Sequence, residues 1–214
     1  MNELSERRLE EKDRRRTEIL TAAEKVAAKK GIDAITMDQV ARQARISRAL
    51  LYVYFQDRDD LLMGIGERGL AVLKERFAAI AALPITGLAQ VQDMGRAYVA
   101  FAREFPVYFA ALSHFHATAP EVGELAGNIV SCLAVGNEVH GILVSSIRMG
   151  LQDGSIHRDA GDPAAIGMTL WGFMHGIIQV ITTKELVLSQ YGLHQAALVE
   201  QALRLATRSL EARA

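Results

Sequence analysis

The residues with the most distinctive chemistry lie close together, between positions 47 and 54. Ser47 carries a hydroxyl, Arg48 a guanidinium, and Tyr52 and Tyr54 each carry a phenol. A guanidinium pairs with the O6 and N7 acceptors of guanine, and hydroxyl groups donate hydrogen bonds to phosphate oxygens. The small side chain of Ala49 allows close approach to a thymine methyl group. The segment therefore combines groups that are suited to binding nucleic acid.

Capping residues predict how this segment is positioned. Thr36 followed by Gln39 forms a capping box, which begins a helix by satisfying free N–H groups. Ser47 and Asp57 are further N-cap residues. Apolar residues with helical spacing line one face of the helix that follows Thr36, namely Met37, Val40, Ala41 and Ala44. Leu50 and Leu51 are predicted to point inward, and the helix that Asp57 begins continues through Leu61 and Leu62. Two short helices joined by a tight turn predict a helix-turn-helix, whose second helix can lie in the DNA major groove.

The stretch from Thr36 to Leu62 resembles the tetracycline-repressor (TetR) family of transcriptional regulators. That family has a threonine, then roughly Ser-basic-small-x-Leu-Tyr-x-aromatic-Phe, then a basic residue and two leucines. The matching residues here are Thr36, Ser47 to Phe55, Arg58, Leu61 and Leu62. The sequence departs from the pattern at Arg45, where the turn usually carries glycine. A left-handed backbone costs a non-glycine residue about 1 kcal/mol.

The resemblance implies which side chains contact DNA. Thr36, Tyr54 and Arg58 are expected on phosphates, and Arg58 also lies in a first helical turn, where backbone N–H groups favour an anion. Arg48 is expected to read a base, whereas packing of Tyr52 against the first helix is an equal alternative to DNA contact. The complete predicted set is Thr36, Arg45, Ser47, Arg48, Ala49, Tyr52, Tyr54 and Arg58. The partner is expected to be a double-stranded DNA operator.

The charge distribution is compatible with such a partner. The net charge of −1 and the pI near 6.6 at first argue against nucleic acid, because basic domains are the usual signature. Between residues 42 and 58, however, there are four arginines, and Asp57 is the one acidic residue. An isolated cluster of this kind is more often a solvated surface, but a local patch beside a helix-turn-helix is enough to engage phosphates.

Composition predicts an all-α fold. Half of the 214 residues are hydrophobic, only four are proline, and no alternating strand pattern stands out. We expect about nine helices, the first from near Asp13 and a long one from Pro120. Residues 1–60 are predicted to form a three-helix DNA-binding domain, and residues 61–214 a C-terminal helical domain for ligand sensing and dimerisation. The TetR resemblance implies this division.

The resemblance also implies a pocket for a small hydrophobic or aromatic effector. Apolar walls with a few polar groups suit such a ligand. An aromatic stripe at helical spacing is more often plain core, so only the resemblance favours a pocket. The predicted lining is Tyr98, Phe101, Phe105, Tyr108, Phe109, Met149, Trp171, Met174 and His175.

A homodimer is expected because one helix-turn-helix contacts only half of a two-fold site. The apolar segment 164–183 would lie against its counterpart in a second subunit. The predicted interface residues are Trp171, Ile178, Leu198, Ala202 and Leu205, and the alternative is that they fill the core of one subunit.

Other classes of protein are less well supported by the sequence. Segment 164–183 is long enough to span a membrane, but its polar residues favour a buried soluble helix over a membrane partner. No nucleophile elbow, glycine-rich phosphate loop or metal-binding motif is present, so we expect no enzyme, no cofactor and no metal. A helical interaction module or ligand-binding protein without DNA binding stays the alternative. Cys132 is the only cysteine, which fits the reducing cytoplasm.

Overall fold

A computed structural model describes residues 3–114 and 127–212, and these residues form helices with no strand, as predicted. A single bridge pairs Ile156 with Glu211. A 3-10 turn covers Arg158–Ala160. The helices are α1 (Glu3–Lys30), α2 (Met37–Ala44), α3 (Arg48–Tyr54), α4 (Arg58–Ala81), α5 (Gly87–Glu104), α6 (Pro106–Ser113), α7 (Gly127–Asp153), α8 (Pro163–Thr183), α9 (Glu185–Gln190) and α10 (Gln195–Leu210).

The helices differ from the prediction in two places. Helix α1 begins at Glu3 rather than near Asp13, and pairs such as Arg14 with Glu11, 2.6 Å apart, link successive turns of its polar start. The described residues form ten helices rather than about nine, because α8 ends at Thr183 and the short α9 follows it. The predicted helix start at Pro120 lies outside the described residues.

The chain divides into two compact units. The N-terminal unit comprises Met1–Gly69 and Phe105–Ala134, and the C-terminal unit comprises Leu70–Glu104 and Val135–Ala214. The predicted domain boundary after residue 60 stays a prediction.

The N-terminal unit is built around one apolar core. Ile19 and Leu20 of α1 pack with Leu51 of α3 and Leu61 of α4, all fully buried. Hydrogen bonds between polar side chains surround this core. The Arg16 guanidinium donates to Glu67 Oε2 at 2.7 Å and to Asn128 Oδ1 at 2.7 Å. These contacts fix α1, which in turn supports the two short helices.

Glycines in α4 pack closely against their neighbours in this unit. A Cβ on Gly64 would lie 2.9 Å from Leu20 Cδ2, and one on Gly66 would lie 3.3 Å from Leu112 Cδ2. A run of glycines within a helix suggests either a compliant joint or close packing. The observed distances support close packing at these two positions.

The C-terminal unit is formed by α5, α8, α9 and α10 with the second half of α4 and most of α7. Its core includes Met94, Phe101, Ile147 and Ile178, each at most 1% exposed. A buried hydrogen bond from Ser146 Oγ to Gln90 Oε1, 2.8 Å long, links α7 to α5. The polar groups of these two side chains are thereby satisfied inside the core.

Within residues 3–114 and 127–212, two helices are long and apolar enough to cross a membrane by length and composition, namely Asn128–Asp153 and Pro163–Thr183. Core helices of soluble proteins pass the same test. Only 28% of the apolar window in α8 is buried within the chain. The predicted burial on nearly all sides of α8 is therefore not achieved by one copy of the described residues.

Candidate nucleic-acid interface

Local hydrogen bonds position the helix-turn-helix as its capping residues predict. Thr36 Oγ1 accepts from the Gln39 N–H at 3.4 Å, and Gln39 Oε1 accepts from the Thr36 N–H at 3.3 Å. Ser47 Oγ accepts from the N–H of Leu50 at 3.1 Å, which begins α3. Asp57 Oδ1 accepts from the N–H of Asp60 at 2.8 Å, which begins α4.

The turn between α2 and α3 has a left-handed residue at Arg45. Its φ of 56° and ψ of 42° make it the one non-glycine residue with positive φ in the described parts of the chain. The N–H of Ile46 donates to the Ala41 carbonyl oxygen at 3.0 Å, which completes a helix end of the kind that glycine usually makes. The left-handed turn is therefore formed without glycine, at a cost of about 1 kcal/mol.

One face of α3 is fixed in the core. Leu51 is fully buried and Phe55, at the end of the helix, is 1% exposed. The expectation that Leu50 also points inward was wrong, because its side chain is 37% exposed. Neighbours in sequence lie about 100° apart around a helix, so Leu50 and Leu51 do not share a face.

The opposite face of α3 is open. Arg48, Ala49, Tyr52 and Val53 are all exposed, and Val53 reaches 70%. These residues form two pairs with a spacing of four, so they share one face. Sequence reasoning missed Val53, although its spacing of four from Ala49 was the available signal. We call these four residues the reading face.

Arg48 is held in place by two neighbours. Its Nη1 lies 3.2 Å from Asp38 Oδ1, and its Nη2 donates to the Tyr52 hydroxyl at 3.4 Å. Its guanidinium carbon lies 5.6 Å from the centre of the Tyr52 ring. The Tyr52 hydroxyl, followed by the Asp38 carboxylate, raises the pKa of Arg48 above its ordinary value. Arg48 therefore stays charged. The outward position of Tyr52 disfavours the alternative in which its ring packs against the first helix.

Two other predicted DNA contacts have different surroundings. Tyr54 is half-buried and packs against the core of the N-terminal unit. The Arg58 guanidinium donates to main-chain carbonyl oxygens of the loop before α2, with distances of 2.9 Å to Ile32 and 3.2 Å to Ile35. This geometry ties α4 to that loop and gives Arg58 partners other than the predicted phosphate.

A groove beside α2 brings Lys29 and Lys30, which the sequence did not mark as DNA contacts, next to Arg42 of the predicted arginine patch. It has a volume of about 270 Å³ and lies between the end of α1 and α2. Its lining residues are Val26, Lys29, Lys30, Gln39, Arg42 and Gln43. Arg42 follows Asp38 by four residues, so the groove adjoins the helix face that carries the Asp38–Arg48 pair. The adjacent lysines in the last turn of α1 were the feature of the sequence that could have indicated this groove.

The nine predicted effector contacts divide between the two units. In the C-terminal unit the Tyr98 hydroxyl lies 2.7 Å from His175 Nδ1, and the Trp171 ring lies 5.5 Å from that of His175. Burial raises the pKa of Tyr98 and lowers the pKa of His175, so both side chains are neutral near pH 7. Phe101, Met149 and Met174 belong to the same unit, whereas Phe105, Tyr108 and Phe109 belong to the N-terminal unit.

Two of the five predicted interface residues are not available at the surface. Ile178 is 1% exposed and Ala202 is 2% exposed, so both belong to the core of the C-terminal unit. Trp171 and Leu205 are 49% and 52% exposed, and Leu198 is half-buried. The core alternative therefore applies to Ile178 and Ala202, since their side chains point toward the neighbouring helices of the same chain.

Comparison with known proteins identifies the family. Residues 19–64 match the family model described as bacterial regulatory proteins of the tetR family. Residues 91–206, more than half of the chain, match the C-terminal domain described as tetracyclin repressor-like. The chain belongs to the TetR family. The predicted family, the all-α fold and the class of DNA-binding transcription regulator are thereby confirmed.

Individual relatives are similar to this TetR-family chain over different lengths. The HTH-type transcriptional regulator HbdR of Aromatoleum sp. (strain CIB) is 42% identical over 50 residues, which are 23% of this chain and 22% of HbdR. FadR from Bacillus subtilis, solved with stearoyl-CoA, is 16% identical with a TM-score of 0.68, covering 90% of this chain and 98% of FadR. RolR, solved with resorcinol, is 14% identical with a TM-score of 0.69. That match covers 96% of this chain and 91% of RolR. The structural likeness supports the fold, and the match to HbdR spans less than a quarter of either chain.

Proposed function

We propose that this protein is a dimeric repressor that binds a two-fold DNA operator through α3 and leaves it when a small hydrophobic or aromatic effector binds. The observation that carries the proposal is the reading face of α3, which is exposed while Leu51 and Phe55 anchor the other side of the helix. A helix held in this way can enter the major groove without rearrangement of the core. As a transcription regulator that binds DNA, the protein acts in the cytoplasm.

Each part of the reading face suits a different component of the duplex. The Arg48 guanidinium is suited to guanine O6 and N7, and the exposed Val53 and Ala49 are suited to a thymine methyl. Thr36, Ser47, Arg45 and the hydroxyl groups of Tyr52 and Tyr54 are suited to the backbone. The basic groove formed by Lys29, Lys30 and Arg42 extends the positive surface toward neighbouring phosphates. Each neutralised phosphate contributes about 0.9 to the slope of log affinity against log salt.

Selection of binding sites from a random duplex library tests this function. The full-length protein is expected to enrich a two-fold motif with half-sites about one helical turn apart. Gel shifts at low and moderate salt, with and without non-specific competitor DNA, then measure the preference. Enrichment of no motif would instead favour a helical interaction module or a ligand-binding protein without DNA binding.

Replacement of Arg48 by alanine is expected to relax the base preference. The cost at one base pair should be about 1–3 kcal/mol, because a bidentate pair with guanine is lost. The measurement is a second selection with Arg48→Ala. Arg204→Ala, which removes an exposed arginine of α10, serves as the control and should leave the motif unchanged. Identical preferences for Arg48→Ala and the wild-type protein would show that Arg48 does not read a base.

The exposed side of α8 supports the proposal of a dimer. Met168 and Trp171 are about half exposed, and a Cβ placed on Gly172 or Gly176 would meet nothing within 4 Å. A homodimer that covered this surface, together with Leu205 of α10, would bury an apolar stripe that one chain leaves open. The family dimerises, and the choice of this surface is our proposal.

Trp171→Glu is expected to convert the dimer into a monomer at micromolar concentration. A charge placed in a buried contact would have no partner to offset its desolvation. Sedimentation velocity measures the change, and Leu83→Glu, at another exposed apolar position, is the control. A Trp171→Glu protein that still sediments as the wild-type dimer would exclude this interface.

The Tyr98–His175 pair supports the proposal of an effector with an aromatic or apolar body and a polar group. Tyr98, Phe101 and Met174 are buried around it, and the His175 ring supplies a polar atom among them. Relatives were solved with stearoyl-CoA and with resorcinol, which share this combination of apolar and polar parts. Release of the selected duplex in the presence of phenolic or acyl compounds, followed by gel shift, tests this part of the proposal.

A further inference from the structure

Asp38 of α2 forms an exposed ion pair with Arg48 of α3. Its Oδ1 lies 3.2 Å from Arg48 Nη1 and its Oδ2 lies 3.5 Å from the same nitrogen. The two side chains are 49% and 62% exposed. Exposed ion pairs contribute little to stability, because water screens them and two long side chains lose freedom. The pair therefore contributes little to stability, but it still constrains the Arg48 side chain.

The contact restricts the conformations of the Arg48 side chain. Asp38 holds Nη1 while the Tyr52 hydroxyl and ring hold the Nη2 side. A guanidinium has five N–H donors, and these two neighbours engage only two of them. The remaining N–H groups can meet guanine O6 and N7. A side chain that is already ordered loses less rotamer freedom when it binds a base.

The same carboxylate opposes binding to the DNA backbone. Binding to arbitrary duplex DNA depends almost entirely on positive charge near phosphates. A negative charge beside the reading face weakens this charge-dependent binding on every DNA sequence. Ordering of Arg48 strengthens binding only where a guanine lies opposite it. The two effects of Asp38 therefore act in the same direction on the ratio of specific to non-specific affinity.

We propose that Asp38 is a positioning residue that sets sequence specificity, by ordering Arg48 for one base pair and by weakening attachment to all other DNA. The inference rests on the proposed function, since it requires α3 to read an operator. Without this role, Asp38 would be an ordinary acidic residue in the first turn of a helix, where a negative charge interacts favourably with the positive end of the helix dipole.

Asp38→Asn tests the proposal with the full-length protein, since asparagine removes the charge and keeps the shape. Affinity for random-sequence duplex is expected to rise by roughly threefold, and the preference for the base pair read by Arg48 to fall by roughly fivefold. The measurements are fluorescence anisotropy with random duplex, with the selected site, and with the selected site altered at that base pair. In an Arg48→Ala background the same change should leave the base preference unaltered.

Asp93→Asn is the matched control. Asp93 is an exposed carboxylate that lies 3.2 Å from the guanidinium of Arg96, so the variant loses the same charge from the same kind of pair. It should leave the base preference unchanged. Thermal unfolding of both variants identifies any effect that comes from stability.

The outcomes separate this inference from the function beneath it. If the wild-type protein selects no motif, the proposed function fails. If it selects a motif and Asp38→Asn keeps the full preference at the base pair read by Arg48, the role of Asp38 is overturned while the function stands. A parallel loss of specific and random binding together with a lower unfolding temperature would also overturn it, because that result marks a purely structural residue.

Discussion

Gly87→Ala is expected to destabilise the C-terminal unit by about 3 kcal/mol or more. Gly87 begins α5 where it crosses α7 without space for a side chain. A Cβ on Gly87 would lie 2.1 Å from the Gly150 nitrogen and 2.4 Å from the Ser146 carbonyl oxygen. Both neighbours are main-chain atoms, so relief requires α5 and α7 to separate. The unfolding temperature should fall by roughly 10 °C, measured by circular dichroism.

Gly141→Ala provides the matched control for this prediction. Gly141 is also on α7, and a Cβ there would meet nothing within 4 Å. Alanine is more favourable than glycine in a helix by about 1 kcal/mol, so this variant should be as stable as the wild-type protein or more stable. Equal unfolding temperatures for Gly87→Ala and the wild-type protein would show that the close helix crossing is absent.

Arg58→Met is expected to lower the free energy of unfolding by about 2–3 kcal/mol. The substitution keeps an apolar stem but removes every donor. The carbonyl oxygens of Ile32 and Ile35 would lose their charged partner, and both residues are buried. Arg58→Lys should recover only part of the loss, because an ammonium cannot reproduce the planar fork of donors. Urea denaturation measures each variant.

The same experiment separates two roles for Arg58. If it ties the loop before α2 to α4, stability falls and DNA binding weakens only as far as the folded fraction falls. If it contacts a phosphate instead, stability stays within about 0.5 kcal/mol of wild type while the salt slope of DNA binding decreases by about 1. Arg204→Met, at an exposed site on α10, should change neither quantity.

The helix-turn-helix was predictable because its signals are local. The side chains of Thr36, Ser47 and Asp57 bond to N–H groups only three residues away, so the sequence alone places these helix starts. The left-handed turn at Arg45 could not be predicted from the residue type. The departure from glycine at that position left two possibilities open, a turn built differently or a tolerated strain, and the structure shows the strained left-handed backbone.

Other features depend on packing between distant residues, which helical spacing cannot determine. Ile178 and Ala202 have the same spacing pattern as interface residues, but they are buried inside one chain. The partners of Arg58 come from a loop more than twenty residues earlier, and no local pattern marks that contact. Val53 carries no polar group, so nothing in its chemistry marked it as a DNA contact, although it is 70% exposed.

Methylation of guanine N7 by dimethyl sulfate tests the central claim most directly, because Arg48 is proposed to cover that atom. On the selected duplex, wild-type protein should protect one guanine N7 in each half-site, and Arg48→Ala should restore methylation at that guanine while a hydroxyl-radical footprint persists. Protection that is identical with the two proteins, or a footprint without any protected guanine, would contradict the claim that the exposed face of α3 reads the DNA.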